Sequence, residues 1–154
     1  MILKCFINGK AVTADISPDM ALLEFVRSQG CYSVKRGCET ANCGLCTVWV
    51  DGTPVLSCST PAMRVEGKKV TTLEGLQKEA EEFAQFLGGE GAEQCGFCAP
   101  GFVMNVLAMV RELEDPTEDE IKEYLAGNLC RCTGYAGQLR AIQKYLAWKK
   151  EQEA

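Results

Sequence analysis

The chain has 154 residues, 47% hydrophobic and 24% charged, which fits one globular domain or two small ones with a modest core. Sixteen basic residues against 21 acidic ones leave a net charge of −5, which argues against a nucleic-acid surface or an anionic membrane partner. There are ten cysteines and no histidine, which removes mixed Cys/His zinc sites, the two-histidine Rieske cluster and any Cys–His nucleophile pair.

Along the chain, the first half reads as short strands. Leu3–Ile7 runs into Asn8-Gly9, a strong two-residue hairpin signal, and on into Lys10–Thr13. Ser17-Pro18-Asp19 offers a cap, a first-turn proline and an acid for a helix whose apolar face is Leu22, Leu23, Phe25 and Val26, with Gly30 to end it. "CTVWVDGTPVLSC" is a second hairpin with Asp51-Gly52 at its tip, and Lys69–Thr72 is a fifth strand. From about Leu73 the hydrophobic period switches from two to 3.6. Glu74–Leu87 carries Leu76, Ala80, Phe83 and Leu87 at helical spacing until "GGEG" breaks it. Pro100 opens a helix faced by Val103, Val106, Leu107 and Val110. Thr117–Glu120 matches a capping box for a third bundle helix ending at Gly127, and a fourth starts near Tyr135 with Leu139, Ile142, Leu146 and Lys149 on one side. The expected fold is α+β: a small mixed sheet on one helix over residues 1–74, then a four-helix bundle over 75–154.

No run reaches the ~18 apolar residues of a membrane span, and "MILKCFINGK" lacks the features of a secretory signal. The expected location is therefore the cytoplasm, with no membrane partner, where dense cysteine means metal more often than disulfide.

Eight of the cysteines fall into two quartets. Cys38, Cys43 and Cys46 have the C-x-x-x-x-C-x-x-C spacing of plant-type ferredoxins, which needs a distant fourth cysteine; Cys58, at the end of the second hairpin, is the candidate. Gly37 and Gly44 allow close backbone approach and positive φ, so that amides can point at sulfur. Cys95 and Cys98 in "QCGFCAPG" and Cys130 and Cys132 in "NLCRCTGY" form the second quartet, each pair just before a bundle helix whose dipole favours an anionic group. Structural zinc competes for the first quartet, since four thiolates suit either metal, but C-x-C is too tight for an ordinary zinc knuckle. A thioredoxin-like role for Cys95 and Cys98 lacks the preceding strand. Cys5 reads as a small buried hydrophobe, and Cys31 also has a structural reading.

The motifs "RGCETANCGLCTVWVDG", "LSC", "TTLEGL", "QCGFCAPG" and "GNLCRCTGY", in this order, resemble the small iron–sulfur subunit of molybdenum hydroxylases of the xanthine dehydrogenase family. The resemblance covers nearly the whole chain. It implies a β-grasp, plant-type ferredoxin-like domain followed by an all-α four-helix-bundle 2Fe–2S domain, and a chain that transfers electrons without substrate chemistry of its own. It implies an inner 2Fe–2S cluster on Cys95, Cys98, Cys130 and Cys132 beside the molybdopterin of a large catalytic subunit. An outer 2Fe–2S cluster on Cys38, Cys43, Cys46 and Cys58 would face a medium FAD-binding subunit, in a dimer of heterotrimers. Gln94 and Cys132 are implied to contact the molybdopterin; Gln94 could otherwise be a loop residue capping the next helix. The implied substrate is a purine or other N-heterocycle, with an aldehyde or carbon monoxide dehydrogenase complex, or a free two-cluster ferredoxin, as alternatives. Three residues depart from the family pattern: Ala41 where glycine is usual, Ala99 for threonine, and Gln138 for isoleucine. Ala41 raises the question whether the loop there still adopts positive φ.

Overall fold

The structure is a computed structural model that describes residues 1–154. Its first half is a five-stranded mixed sheet, ordered β2-β1-β5-β3-β4, with β1 (Ile2–Ile7), β2 (Lys10–Asp15), β3 (Thr47–Val50), β4 (Thr53–Leu56) and β5 (Lys69–Thr71). β1 runs parallel to β5, and every other pairing is antiparallel. Both hairpins turn where the sequence requires left-handed backbone, with φ +50° and +80° at Asn8 and Gly9 and +50° and +84° at Asp51 and Gly52. β1 alternates inside and out, so Leu3, Cys5 and Ile7 face the core and Cys5 fills the buried role expected of it.

Helix α1 (Leu22–Ser28) packs Leu22, Leu23, Phe25 and Val26 under the sheet. It starts later than the Ser17-Pro18-Asp19 signal predicts. Ser17 and Asp19 bond each other in a turn, and the Leu22 amide is instead satisfied by the Thr60 carbonyl at 2.7 Å, beside a bridge from Ala21 to Pro61. A neighbouring strand segment thus replaces the side-chain cap.

The second half is helical: α2 (Gln77–Gly89), α3 (Ala99–Glu112), α4 (Glu118–Tyr124) and α5 (Ala136–Glu153). α2 begins three residues beyond the predicted start, because Glu74 is held elsewhere. Its carboxylate accepts from the Ser33 amide (2.9 Å) and hydroxyl (2.8 Å) and from Thr72 (2.9 Å). Thr72 in turn donates its amide to Asn8 Oδ1 at 2.9 Å, so the junction into the helices is tied to the first hairpin turn. α4 carries the predicted capping box, with Glu120 N to Thr117 Oγ1 at 3.3 Å and Thr117 N to Glu120 Oε2 at 2.7 Å. It ends at Tyr124 rather than Gly127 because the chain turns to lay the Gly127 carbonyl against Gly44. Phe83 and Tyr145 meet edge-on at 5.1 Å between ring centres, and both are fully buried, each contributing on the order of 1.5–3 kcal/mol.

The two halves meet through residues that composition could not mark out. Trp49 of β3 is buried in the core of the helical half, donates its indole N–H to the Met104 carbonyl at 3.0 Å, and lies 4.7 Å beneath the Arg111 guanidinium. Asn105 of α3 places Nδ2 at 3.0 Å from Thr47 Oγ1 and 2.7 Å from Asn128 Oδ1. At Gly101 a Cβ would stand 2.5 Å from the Gly44 carbonyl oxygen and 2.7 Å from Leu45 Cα. Gly101→Ala should therefore force the halves apart and cost about 1–3 kcal/mol, seen as a thermal midpoint lowered by several degrees. Gly88→Ala in α2, where a Cβ meets open space, should instead raise it, by about 0.5–1 kcal/mol.

Candidate metal centres

All ten cysteines are free, and eight of them gather in two places. The first is the loop from Cys38 to Cys46 with the short 3-10 turn Ser57–Ser59 that follows β4. Cys38 adjoins Cys43 there, and Cys46 adjoins Cys58. Cys58 lies in the turn just past the strand rather than at its last residue.

Backbone amides converge on these sulfurs. Thr40 N and Asn42 N lie 3.5 and 3.4 Å from Cys38 Sγ, and they lower its thiol to about 6. Burial raises Cys43 above the ordinary thiol value, against the Leu45 amide. Cys58 is pushed up to about 11 by burial and by Cys46 beside it, while the Ala41 amide works the other way. Pointing these amides inward needs left-handed residues, and Glu39, Ala41 and Gly44 have φ of +59°, +58° and +76°. Alanine at position 41 therefore adopts the positive φ in question. Gly37 serves by closeness instead: a Cβ there would lie 2.9 Å from Cys43 Sγ.

The second place lies between the start of α3 and the loop before α5. Cys98 is the N-cap residue of α3, with Pro100 in the first turn. Cys98 adjoins Cys130, and Cys95 adjoins Cys132. Burial and the Cys130 sulfur push Cys98 up to about 12. Cys132 is raised chiefly by Cys95. Cys130 is lowered: burial opposes this, but the Thr133 hydroxyl, 3.2 Å from its sulfur, and two backbone amides outweigh it. Each set thus pairs one thiol biased towards thiolate, Cys38 or Cys130, with a more enclosed thiol that holds its proton, buried Cys43 or half-buried Cys98. Iron capture in either place must release protons.

Within each set the sulfurs stand as two adjoining pairs, and the pairs are close enough for each to sense the other's charge. One tetrahedral zinc needs four ligands around a single ion, whereas a 2Fe–2S cluster takes two thiolates on each of two irons. The donor sets fit the two-iron group.

Gln94 is exposed and lines the same small cavity as Cys95, Cys98, Cys130 and Cys132. It does not cap α3, which has no side-chain cap. Cys95 and Cys132 are exposed, as are Phe97, Leu129 and Tyr135 around them. Ala99 is the first residue of α3. Gln138 is 4% exposed in the first turn of α5, where helical spacing had marked its neighbour Leu139 and not Gln138 itself. One link joins the two places directly: the Leu129 amide, next to Cys130, donates to the Cys43 carbonyl at 2.9 Å. No spacing rule in the sequence foretells it.

Residues 5–84 match the family model of the 2Fe-2S iron-sulfur cluster binding domain, and residues 72–143 match that of the [2Fe-2S] binding domain. The xanthine dehydrogenase iron-sulfur-binding subunit of Escherichia coli O157:H7 is 47% identical over 137 residues, covering 86% of each chain. The crystal structure of quinoline 2-oxidoreductase from Pseudomonas putida 86 contains a chain of 35% identity that superposes with a TM-score of 0.89 over 99% of this chain and 96% of that one. The aldehyde oxidoreductase of Desulfovibrio gigas, 30% identical with a TM-score of 0.89, matches 99% of this chain within 17% of its own.

Removing the strain at position 41 tests the loop. Ala41→Gly should stabilise the protein by about 0.5–1 kcal/mol net, because relief of the left-handed cost exceeds the added freedom of the unfolded chain. Ala41→Val, β-branched at positive φ, should destabilise it by more than about 1 kcal/mol. Denaturant midpoints of the iron-loaded protein measure both.

Proposed function

The chain belongs to the two-cluster iron–sulfur subunits of the xanthine dehydrogenase family of molybdenum hydroxylases, and we propose that Cys38, Cys43, Cys46 and Cys58 hold its outer 2Fe–2S cluster while Cys95, Cys98, Cys130 and Cys132 hold the inner one. Its role is electron transfer within an oxidoreductase. The observation that carries the ligand assignment is the grouping of each quartet into two adjoining thiol pairs. We place the domain boundary between residues 74 and 75, where the 3-10 turn Leu73–Gly75 leads out of the sheet.

When bound, the two clusters supply one-electron relay sites between a molybdopterin and an FAD on partner subunits. The chain's own residues hold those sites in register. The Leu129 amide and Cys43 carbonyl join the two ligand loops with one hydrogen bond, and Gly44 and Gly101 let the backbone pack closely, Gly44 against the Gly127 carbonyl. Amides of Thr40, Asn42, Leu45 and Ala41 offset negative charge on the outer sulfurs, and the Thr133 hydroxyl does so at Cys130.

The exposed pair Cys95 and Cys132, rimmed by Phe97, Leu129 and Tyr135, is the face for a large molybdopterin-binding subunit. Gln94 and Cys132 would contact the pterin there. The face near Cys38 and Cys58 is left for a medium FAD-binding subunit, and the complex is a dimer of such heterotrimers. The xanthine- and quinoline-named relatives favour an N-heterocyclic substrate, purine-like by preference, over an aldehyde.

Metal analysis and EPR test the assignment. The purified chain should carry about four iron with matching acid-labile sulfide, and Cys43→Ser should remove one of two distinguishable reduced-cluster signals and about half the iron. Colourless zinc-rich protein, or loss of both signals from a folded Cys43→Ser variant, overturns it. Recovery of this chain from its native cells free of two larger subunits would instead indicate a free ferredoxin.

A further inference from the structure

We infer that the side-chain amide of Gln138 donates a hydrogen bond to a sulfur of the inner cluster and raises that cluster's reduction potential. The inference rests on the ligand assignment proposed above.

Gln138 is one of only four buried polar residues, 4% exposed, and it stands on the third residue of α5. A glutamine there ordinarily reaches back to the amide of the N-cap residue. That route is taken: the Tyr135 amide donates to Thr133 Oγ1 at 3.3 Å, and α5 has no side-chain cap. The Gln138 amide makes none of the chain's side-chain hydrogen bonds. Yet no fully enclosed side-chain nitrogen or oxygen in the chain lacks a partner. Its polar atoms therefore border open space. Gln138 lines three spaces: a mostly apolar groove walled by Ile121, Leu125, Leu139 and Ile142, the small cavity lined by Cys95, Cys98, Cys130 and Cys132, and a narrow extension from that cavity towards Cys43. The groove gives a polar amide little to bond, whereas the other two hold sulfur.

A buried amide facing a void is costly unless something there accepts from it. Every other side chain around these two sulfur-lined spaces that might accept is a cysteine, Glu93, Gln94, Thr133 or Asn128, and the Asn128 Oδ1 already accepts from Asn105 at 2.7 Å. Glu93 and Gln94 are exposed to solvent, while Thr133 already serves Cys130 and Tyr135. The inner wall thus offers sulfur. The amide has two N–H donors, and an anionic cluster held by four thiolates accepts them. Reduction adds negative charge, so a donor strengthens its bond in the reduced state, and the potential rises.

The test is an EPR-monitored redox titration of the iron-loaded full chain with Gln138→Leu, which keeps the volume and removes the donors. The Cys43→Ser variant identifies which signal is the inner cluster. The reduced-to-oxidised ratio of that cluster at a fixed poise should fall by up to about tenfold, equivalent to 59 mV for a one-electron couple, while the outer cluster stays put. Gln138→Met, unbranched and adaptable, repeats the measurement should leucine prevent folding. Failure to find two separable clusters would defeat the ligand assignment itself. With two clusters present, an unchanged inner potential in the folded variants, or an equal shift of both clusters, overturns the role of Gln138.

Discussion

Everything in this protein depends on two loops that each collect negative charge being brought into contact. Thiolate-rich sites repel one another and resist desolvation, so their juxtaposition must be enforced by the rest of the chain. The enforcement is mainly backbone. Gly44 of the first cysteine loop touches the Gly127 carbonyl on one side, its own carbonyl meets Gly101 on the other, and Leu129 N–H closes on the Cys43 carbonyl at 2.9 Å. Neither Gly44 nor Gly101 tolerates a Cβ there, and the approach is close because no side chain stands between. The half-buried Asn105 bridge from Thr47 to Asn128 fixes the same seam with polar bonds.

Charge at each site is managed by oriented peptide groups more than by cations. Around Cys38 and Cys58 the amides come from a loop whose residues at 39, 41 and 44 are left-handed. This is local strain kept where it has a purpose, since only that backbone shape turns successive N–H groups towards one point. Around Cys98 the same service falls to the start of a fourteen-residue helix. The two halves thus solve one electrostatic problem with different secondary structure.

Much of this was legible in the chain. Asn8-Gly9 and Asp51-Gly52 have one strong local preference each, and Thr117 with Glu120 forms its cap within four residues, so these elements needed no tertiary information. The cysteine spacings and the absence of histidine narrowed the chemistry in the same local way. What escaped was long-range. The start of α1 is decided by Thr60, nearly forty positions on, and the start of α2 by Ser33. In the sequence Gly101 is one glycine of a helix, Trp49 one aromatic of a hairpin, and Gln138 a glutamine where isoleucine is usual. Each takes its meaning from a neighbour remote in sequence. Glu39 and Ala41 are left-handed without being glycine, so composition alone could not announce them.

The indole of Trp49 has one more consequence. It grows from the sheet but is buried in the helical core, with its N–H on Met104 and its face under Arg111. To free the sheet, the chain must open the helical interior and strand a buried donor. The seam that a gene could cut between two modules is therefore no seam for melting: loosening either half exposes the interior of the other, and both metal sites share one cooperative lifetime.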